Sequence, residues 1–367
     1  MQSKLPNADI KWESMVTSGL ALDWGILENK LTGTFGYYSK SSNDLLYNLP
    51  IQASAGLGSF VFTNIGEVKN SGFEVDILWK ETRGDFSYSV GFNGATLNNE
   101  VVNLDGIDNA PIEGAAGVIN EQGDQVFYKT EVGKPFASFY GYKVTGIMQQ
   151  GQAAPYQTGP SNVAPKPGDL LYQDVNNDGA INNKDKQYIG NPWAKFSYGI
   201  NASAEWKGID VNVLFSGEAG QDVINARTPI IGAIYNDYNT TSDIYENSLF
   251  LGNGVTDRPA HLQSDGSVDP NGNYRVFSDF WVEKGSFLKL RNLQVGYTIP
   301  DKFLGRYGVS KLRFYLAGQN LMTFTKYTGI DPETTAGTVN NVISGGMADN
   351  NTYFPIRTYT FGIDLSF

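Results

Sequence analysis

The sequence predicts an all-β chain whose strands form an antiparallel transmembrane β-barrel wall with long loops at one end. Three observations predict it: apolar and polar residues alternate in paired runs, connections alternate between short and long, and tryptophans stand just before the short turns. Side chains at period two point to opposite faces of a pleated strand, so alternation makes one oily and one polar face. In the closing run RTYTFGIDLSF the apolar set is Tyr359, Phe361, Ile363, Leu365 and Phe367, with Thr360, Gly362, Asp364 and Ser366 between them. One such strand fits a soluble sandwich or a lipid-facing barrel equally well.

Composition narrows the choice. Hydrophobic residues are 41% of 367, mean hydropathy is -0.29, and no run approaches the roughly 18 to 20 apolar residues of a membrane-spanning helix. That excludes a helical membrane protein but not a β-barrel, whose apolar residues are diluted by lumen-facing polar ones. Aromatics at 13% and 42 glycines suit strands and tight turns. A net charge of -11 argues against nucleic acid as a partner. Cysteine is absent, which fits many compartments and in an envelope protein of a Gram-negative cell means a fold held by closure and hydrogen bonds rather than disulfides. The opening MQSKLPNADIKWES has no basic and then apolar leader, which in an exported protein implies a lost N-terminus.

The elements follow in order. TSGLALDW pairs with KLTGTFGYYSK around GILEN; GFEVDILWK pairs with FSYSVGFNGATL around ETRGD; FSYGINASAEW pairs with IDVNVLFSG around KG. LQVGYTIP then pairs with LRFYLAGQNL, and the closing run is the last strand. With ASFYGYKVTGIM included, the reading gives about ten strands. Short turns follow Trp24, Trp79 and Trp206, while segments 48–69, 104–135, 148–195, 223–285 and 325–352 are long and rich in Gly, Asn, Asp and Pro. A sandwich has no reason to collect its long loops at one end, whereas outer-membrane barrels have short periplasmic turns and long extracellular loops. The three tryptophans then fall where an aromatic girdle meets lipid headgroups. In SFLKLRNLQVGYTIP the apolar phase switches from Leu288 and Leu290 to Leu293, Val295, Tyr297 and Ile299, and Lys289 and Arg291 are expected to face outward into water above the bilayer.

Together, GFEVDILWK, GDLLYQDVNNDGAINNKDKQYIGNP, FLKLRNLQVGYTIP, YLAGQNLMTFTKYTGIDPE and YTFGIDLSF resemble the C-terminal portion of SusC/RagA-type TonB-dependent outer-membrane transporters of Bacteroidetes. The resemblance runs through residues 1–367 in register and order. It implies the C-terminal part of a large barrel of about 22 strands in the outer membrane of a Gram-negative bacterium, with its lumen closed by a plug. It also implies import of glycans or peptides, a SusD-like surface lipoprotein as lid, and energy from a TonB complex. The family's plug, TonB box and earlier strands lie outside this sequence, so TonB coupling is expected to run through a missing N-terminal region. Open strand edges in lipid cost several kcal/mol per unpaired group, so the segment is expected to belong to a larger polypeptide.

Two sites stand out. DVNNDGAINNKD places Asp174, Asn176, Asp178, the Ala180 carbonyl, Asn182 and Asp185 at the ligand spacing of an EF-hand-type loop, with Gly179 at the sharp turn. The site would take Ca²⁺; the alternative is an Asx-rich loop folded by its own side-chain turns. Thr360, Gly362, Leu365 and Phe367 fit a pattern that resembles the signal read by the barrel-assembly machinery. Catalysis finds little: His261 is the one histidine, and no nucleophile motif such as G-x-S-x-G occurs, so an enzyme is not expected. Trp193, Phe280 and Trp281 are expected to pack loops together rather than stack on sugars. The competing reading is a secreted, calcium-stabilised β-sandwich for glycan binding or adhesion, with its apolar faces buried between sheets.

Overall fold

A computed structural model describes residues 7–50, 60–118, 125–225, 241–247, 258–259, 271–304, 308–333 and 354–367. The chain opens with four long strands, β1 (Ser14–Ile26), β2 (Leu31–Pro50), β3 (Phe60–Arg83) and β4 (Phe86–Thr96). A first excursion carries β5 (Asn98–Asn103), β6 (Ile112–Val118), β7 (Gln125–Thr130), β8 (Ser138–Gly141), β9 (Val144–Ile147), β10 (Leu170–Tyr172) and β11 (Gln187–Gly190). The chain then returns to long strands in β12 (Phe196–Trp206) and β13 (Ile209–Ala219). A second excursion holds β14 (Asp222–Ile224) and β15 (Val282–Lys284), before β16 (Phe287–Thr298), β17 (Lys311–Thr325) and β18 (Thr358–Ser366).

The long strands form one antiparallel sheet in the order β1-β2-β3-β4-β12-β13-β16-β17-β18, with β5 paired to the upper part of β3. The turns that join them are those the sequence dictates. Lys207 and Gly208 both take positive φ, the two-residue type I′ link whose twist matches its strands. Gly84 with positive φ followed by Asp85 makes the mirror-type link between β3 and β4. The links β1–β2, β3–β4, β12–β13 and β16–β17 share one end, and every long excursion leaves from the other.

Register aligns the oily side chains into rows. One row runs Trp24, Gly33, Ile77, Phe92, Ile200, Phe215, Leu290 and Met322. The next runs Ile26, Leu31, Trp79, Val90, Ala202, Val213, Leu293, Gly318 and Tyr359. No second layer covers this face among the described residues: Phe35, Val90 and Val295 are 50%, 46% and 44% exposed although each lies inside the sheet. A sandwich would have buried them.

Aromatics bound the oily rows at both ends. Phe86, Trp206, Tyr297 and Phe314 lie in one row by the short turns, and Tyr37, Phe73, Phe196 and Tyr198 cluster toward the other end. Near the turns, the Trp79 indole donates to the Tyr88 hydroxyl (3.1 Å), which donates to Glu81 (3.0 Å), itself held by Arg83. Amphipathic rings with a polar handle suit the boundary between hydrocarbon and water. The 11 residues of β12 reach about 33 Å along the strand, and about 25 Å along the normal at an outer-membrane tilt of about 40°.

Three sequence expectations need correction. ASFYGYKVTGIM is not a wall strand, leaving nine strands in the sheet path. It splits into β8, where Ser138, Phe139 and Gly141 are buried because both faces meet loop protein, and β9, where Thr145 is exposed. Segment 48–69 is only partly loop, since β2 extends to Pro50 and β3 begins at Phe60. Tyr47, Ile65 and Val68 pack there against Val101, Leu104 and Ile112, which stiffens the projecting hairpin. The phase switch near Arg291 is a β-bulge between Leu290 and Asn292, matched by positive φ at Asn320 on the partner strand. The bulge keeps the oily row unbroken, and Lys289 and Arg291 therefore face the polar side, not outward.

Placing a charge in the middle of the oily face tests its environment. Val213→Arg is expected to cost roughly 2–4 kcal/mol if lipid lies there, whereas the adjacent polar-face change Asn212→Arg should stay within about 0.5 kcal/mol. Urea titration of the full-length protein in lipid vesicles measures the difference.

Candidate functional site

The polar face is built by the same register. Across the middle, Lys80, Ser89, Ser203, Asn212, Gln294, Ala317 and Thr360 lie in one row. The Ser89 and Ser203 hydroxyls are 2.8 Å apart. Two open grooves run over this face. The one toward the short turns, about 510 Å³, is lined by Ser203, Glu205, Asp210, Asn212, Lys311 and Arg313, among others. The other, about 420 Å³, lies toward the long connections and includes Glu74, Asn93, Ser197, Glu218, Arg291 and Glu333. Such a surface offers hydroxyls, amides and carboxylates to a polar solute.

The upper groove is closed on one side by the chain that follows β17. Lys289, 2% exposed, donates to both oxygens of Asp331 (2.7 and 2.9 Å) and to Glu333 (2.7 Å). Arg291 donates to the Ser216 hydroxyl (2.6 Å) and also pairs with Glu333. The bulge thus turns two cations toward the polar face, where they anchor a loop against the wall.

The long excursions are folded, not loose. Sheet β11-β8-β7-β6 buries Tyr128 and Phe139 in a core with Ile224, Phe277 and Trp281. A second core holds Tyr142, Met148, Tyr156, Leu170, Leu171, Tyr172 and Ile181, and Phe280 packs against both. Trp281 is fully buried, and the Trp193 indole donates to the Phe136 carbonyl (2.7 Å). These aromatics pack loops, as expected. Asp169, also fully buried, accepts from the Lys166 amide (2.7 Å) and from the side chains of Asn273 (2.9 Å) and Asn271, tying the two excursions together. Burial pushes its carboxyl above the usual range, while the Asn273, Lys166 and Asn271 donors pull it back.

The Asx-rich loop lies in the first excursion. Asp174 accepts from the Gly179 amide (2.8 Å), Asn176 from that of Asp178 (3.0 Å) and Asp178 from that of Ala180 (3.0 Å). Asp185 is fully buried and clasps the loop by accepting from Val175 (2.9 Å) and Asn182 (2.8 Å). Asn177 and Gly179 take positive φ at the bend. The Ala180 carbonyl accepts from the Asn182 side chain (3.2 Å). One oxygen, Asp174 Oδ1, is buried with no hydrogen-bond partner. Among the described residues no three His, Cys, Asp or Glu side chains gather around a common point. The donors therefore satisfy an Asx loop, and Asp174 Oδ1 is the acceptor left over.

The remaining sequence-predicted residues are at the sheet edge. Thr360 and Gly362 lie on the polar face of β18 opposite Ala317 and Tyr315, Leu365 lies on the oily face opposite Leu312, and Phe367 is 87% exposed. His261 falls outside the described residues. Sequence reasoning missed the Lys289 anchor, because its partners are 42 and 44 residues away. The only available signal was the phase switch itself.

Comparisons with known proteins follow the geometry. Residues 2–137 match the family model described as TonB dependent receptor-like, beta-barrel. TonB-dependent receptor P3 of Formosa agariphila is 32% identical over 365 residues, covering 98% of this chain and 35% of that protein. TonB-dependent receptor SusC of Bacteroides thetaiotaomicron is 26% identical over 366 residues, covering 98% and 32%. The solved RagAB peptide transporter superposes with a TM-score of 0.76 at 23% identity, over 99% of this chain and 36% of that one. The chain thus spans about a third of the length of the relatives it matches.

Removing the anchor tests how the loop is held. Lys289→Met leaves Asp331 without its cation and Glu333 with Arg291 alone, at a local cost of about 3–5 kcal/mol. Hydrogen exchange should rise sharply in 326–333 and stay unchanged in β12 and β13.

Proposed function

We propose, from the premise that this chain belongs to the TonB-dependent receptor family as a SusC/RagA-type barrel segment, that it forms part of the wall and extracellular loops of an outer-membrane importer of glycans or peptides. The single observation that carries the reading is the pairing of a continuous, uncovered oily face with a continuous polar face, capped at one end by folded loops. The oily rows meet lipid, the polar rows line the passage, and the excursions form its outer mouth. The segment is C-terminal in a barrel of about 22 strands, whose other strands pair with the open edges of β1 and β18.

Partners follow from the same premise. A SusD-like lipoprotein covers the mouth, a TonB complex pulls on a plug encoded elsewhere in the receptor, and the barrel-assembly machinery reads Thr360, Gly362, Leu365 and Phe367. The chain itself supplies a surface, not a catalyst. One structural neighbour bears on the cargo: RagAB is a peptide transporter by its description, while the hydroxyls and amides of the polar face here suit a glycan as well as a peptide.

The calcium loop is part of this proposal. A Ca²⁺ ion held by Asp174, Asn176, Asp178, the Ala180 carbonyl, Asn182 and Asp185 would give Asp174 Oδ1 the partner it lacks. On the extracellular side, a weak site is enough to rigidify the first excursion.

Two experiments test these readings. Deleting the gene from its host should abolish growth on one cargo class, oligosaccharide or peptide, as should loss of TonB; unchanged growth on both classes contradicts the importer reading. Calorimetry of the complete receptor should show saturable calcium binding with Kd of about 0.1–1 mM, lost in Asp174→Asn. No saturation at several millimolar removes the metal from the proposal.

A further inference from the structure

The connection between β17 and β18 runs from 326 to 357, too long to set their register as a tight hairpin turn does. Alternation does not set it either. Tyr359, Phe361, Ile363 and Leu365 face Gly318, Leu316, Phe314 and Leu312, so sliding β18 by two residues keeps every oily side chain on the oily face. Whatever selects the observed pairing must lie on the polar face.

There, Gly362 is opposite Tyr315, and the tyrosine ring lies over it so closely that a Cβ on residue 362 would collide with the ring. Next along the strand, Arg313 is opposite Asp364 and donates to it (2.8 Å). The same guanidinium makes a bidentate pair with Asp210 of β13 (2.8 and 2.6 Å). It passes β16 at Gly296, where a Cβ would stand 2.5 Å from Asp210 Oδ1 and 2.6 Å from Arg313 Nη2. The guanidinium carbon is also 5.0 Å from the centre of the Tyr315 ring. One arginine thus joins three strands through a gap that only glycine leaves open.

We propose that Tyr315 over Gly362, together with Asp210–Arg313–Asp364, is a register key that admits one pairing of the terminal strand. Sliding β18 one way puts Thr360 beneath the ring and Gly362 opposite Arg313. Sliding it the other way puts Asp364 beneath the ring and Ser366 opposite Arg313. Both slips place a side chain where the ring lies and take Asp364 away from its arginine. The key assigns Gly362 a role inside the sheet, separable from any reading of the same glycine by assembly machinery.

The test uses the complete receptor in a Gram-negative host. Gly362→Val should lower folded receptor in the outer membrane by about tenfold, because overpacking forces strand and ring apart. Adding Tyr315→Ala to that variant should restore assembly, since the clash is with the ring; a glycine needed only by the assembly machinery would not be rescued. Register is read by cysteine pairs, the sequence having no cysteine of its own. Leu316→Cys with Phe361→Cys reports the observed register, and Leu316→Cys with Tyr359→Cys or with Ile363→Cys reports the two slips. With the key intact only the first pair should cross-link; with Arg313→Gln and Tyr315→Ala together, the slipped pairs should appear. Wild-type assembly of Gly362→Val, failure of the rescue, or an unchanged cross-linking pattern without the key would each overturn the proposal.

Discussion

A backbone amide that faces hydrocarbon has no water to fall back on, so its hydrogen bond must be found within the protein. Most of this structure follows from that constraint. The long strands pair edge to edge without interruption between the aromatic rows, and the irregular chain lies beyond them. The bulge at Arg291 is the instructive exception. It sits near the loop end of β16, and it diverts an extra residue to the polar side without breaking the oily row.

Outside the ladder a different economy holds. The two excursions bury apolar cores of their own, around Trp281 and around Leu170, and tie themselves together by charges and amides such as Asp169 with Asn271 and Asn273. Lys289 and Arg291 then fasten the segment after β17 to the wall. Loops packed this way have a defined shape of their own, and a preformed surface has a lower ordering cost on binding.

The wall was legible because strands whose two faces meet different surroundings alternate with period two, and because the short turns and the long connections fall at opposite ends. Phe73, Val75, Ile77 and Trp79, or Phe196, Tyr198, Ile200 and Ala202, announce both the strand and its faces, and Lys207-Gly208 announces the turn. The excursions were not legible for the converse reason. ASFYGYKVTGIM resembles a wall strand, while both faces of its β8 half meet protein and its partners are short strands of a loop sheet. Phe139 and Tyr140 carry no mark of which solvent they meet. The Asx loop was legible in its donors, since the side-chain turns at Asp174, Asn176 and Asp178 are local. The clasp by Asp185 and the tie of Ile181 to Thr158 are contacts that spacing alone does not specify.

The direct question is what touches the oily rows. Single cysteines at Val211, Val213 and Val295 on that face, and at Asn212 and Gln294 on the polar face, would each carry a fluorophore in the full-length protein reconstituted in bilayers. Brominated lipid should quench the first set and leave the second untouched, while aqueous iodide should do the reverse. If the valine positions were shielded from lipid, or if both sets responded alike to iodide, the barrel-wall account would be wrong.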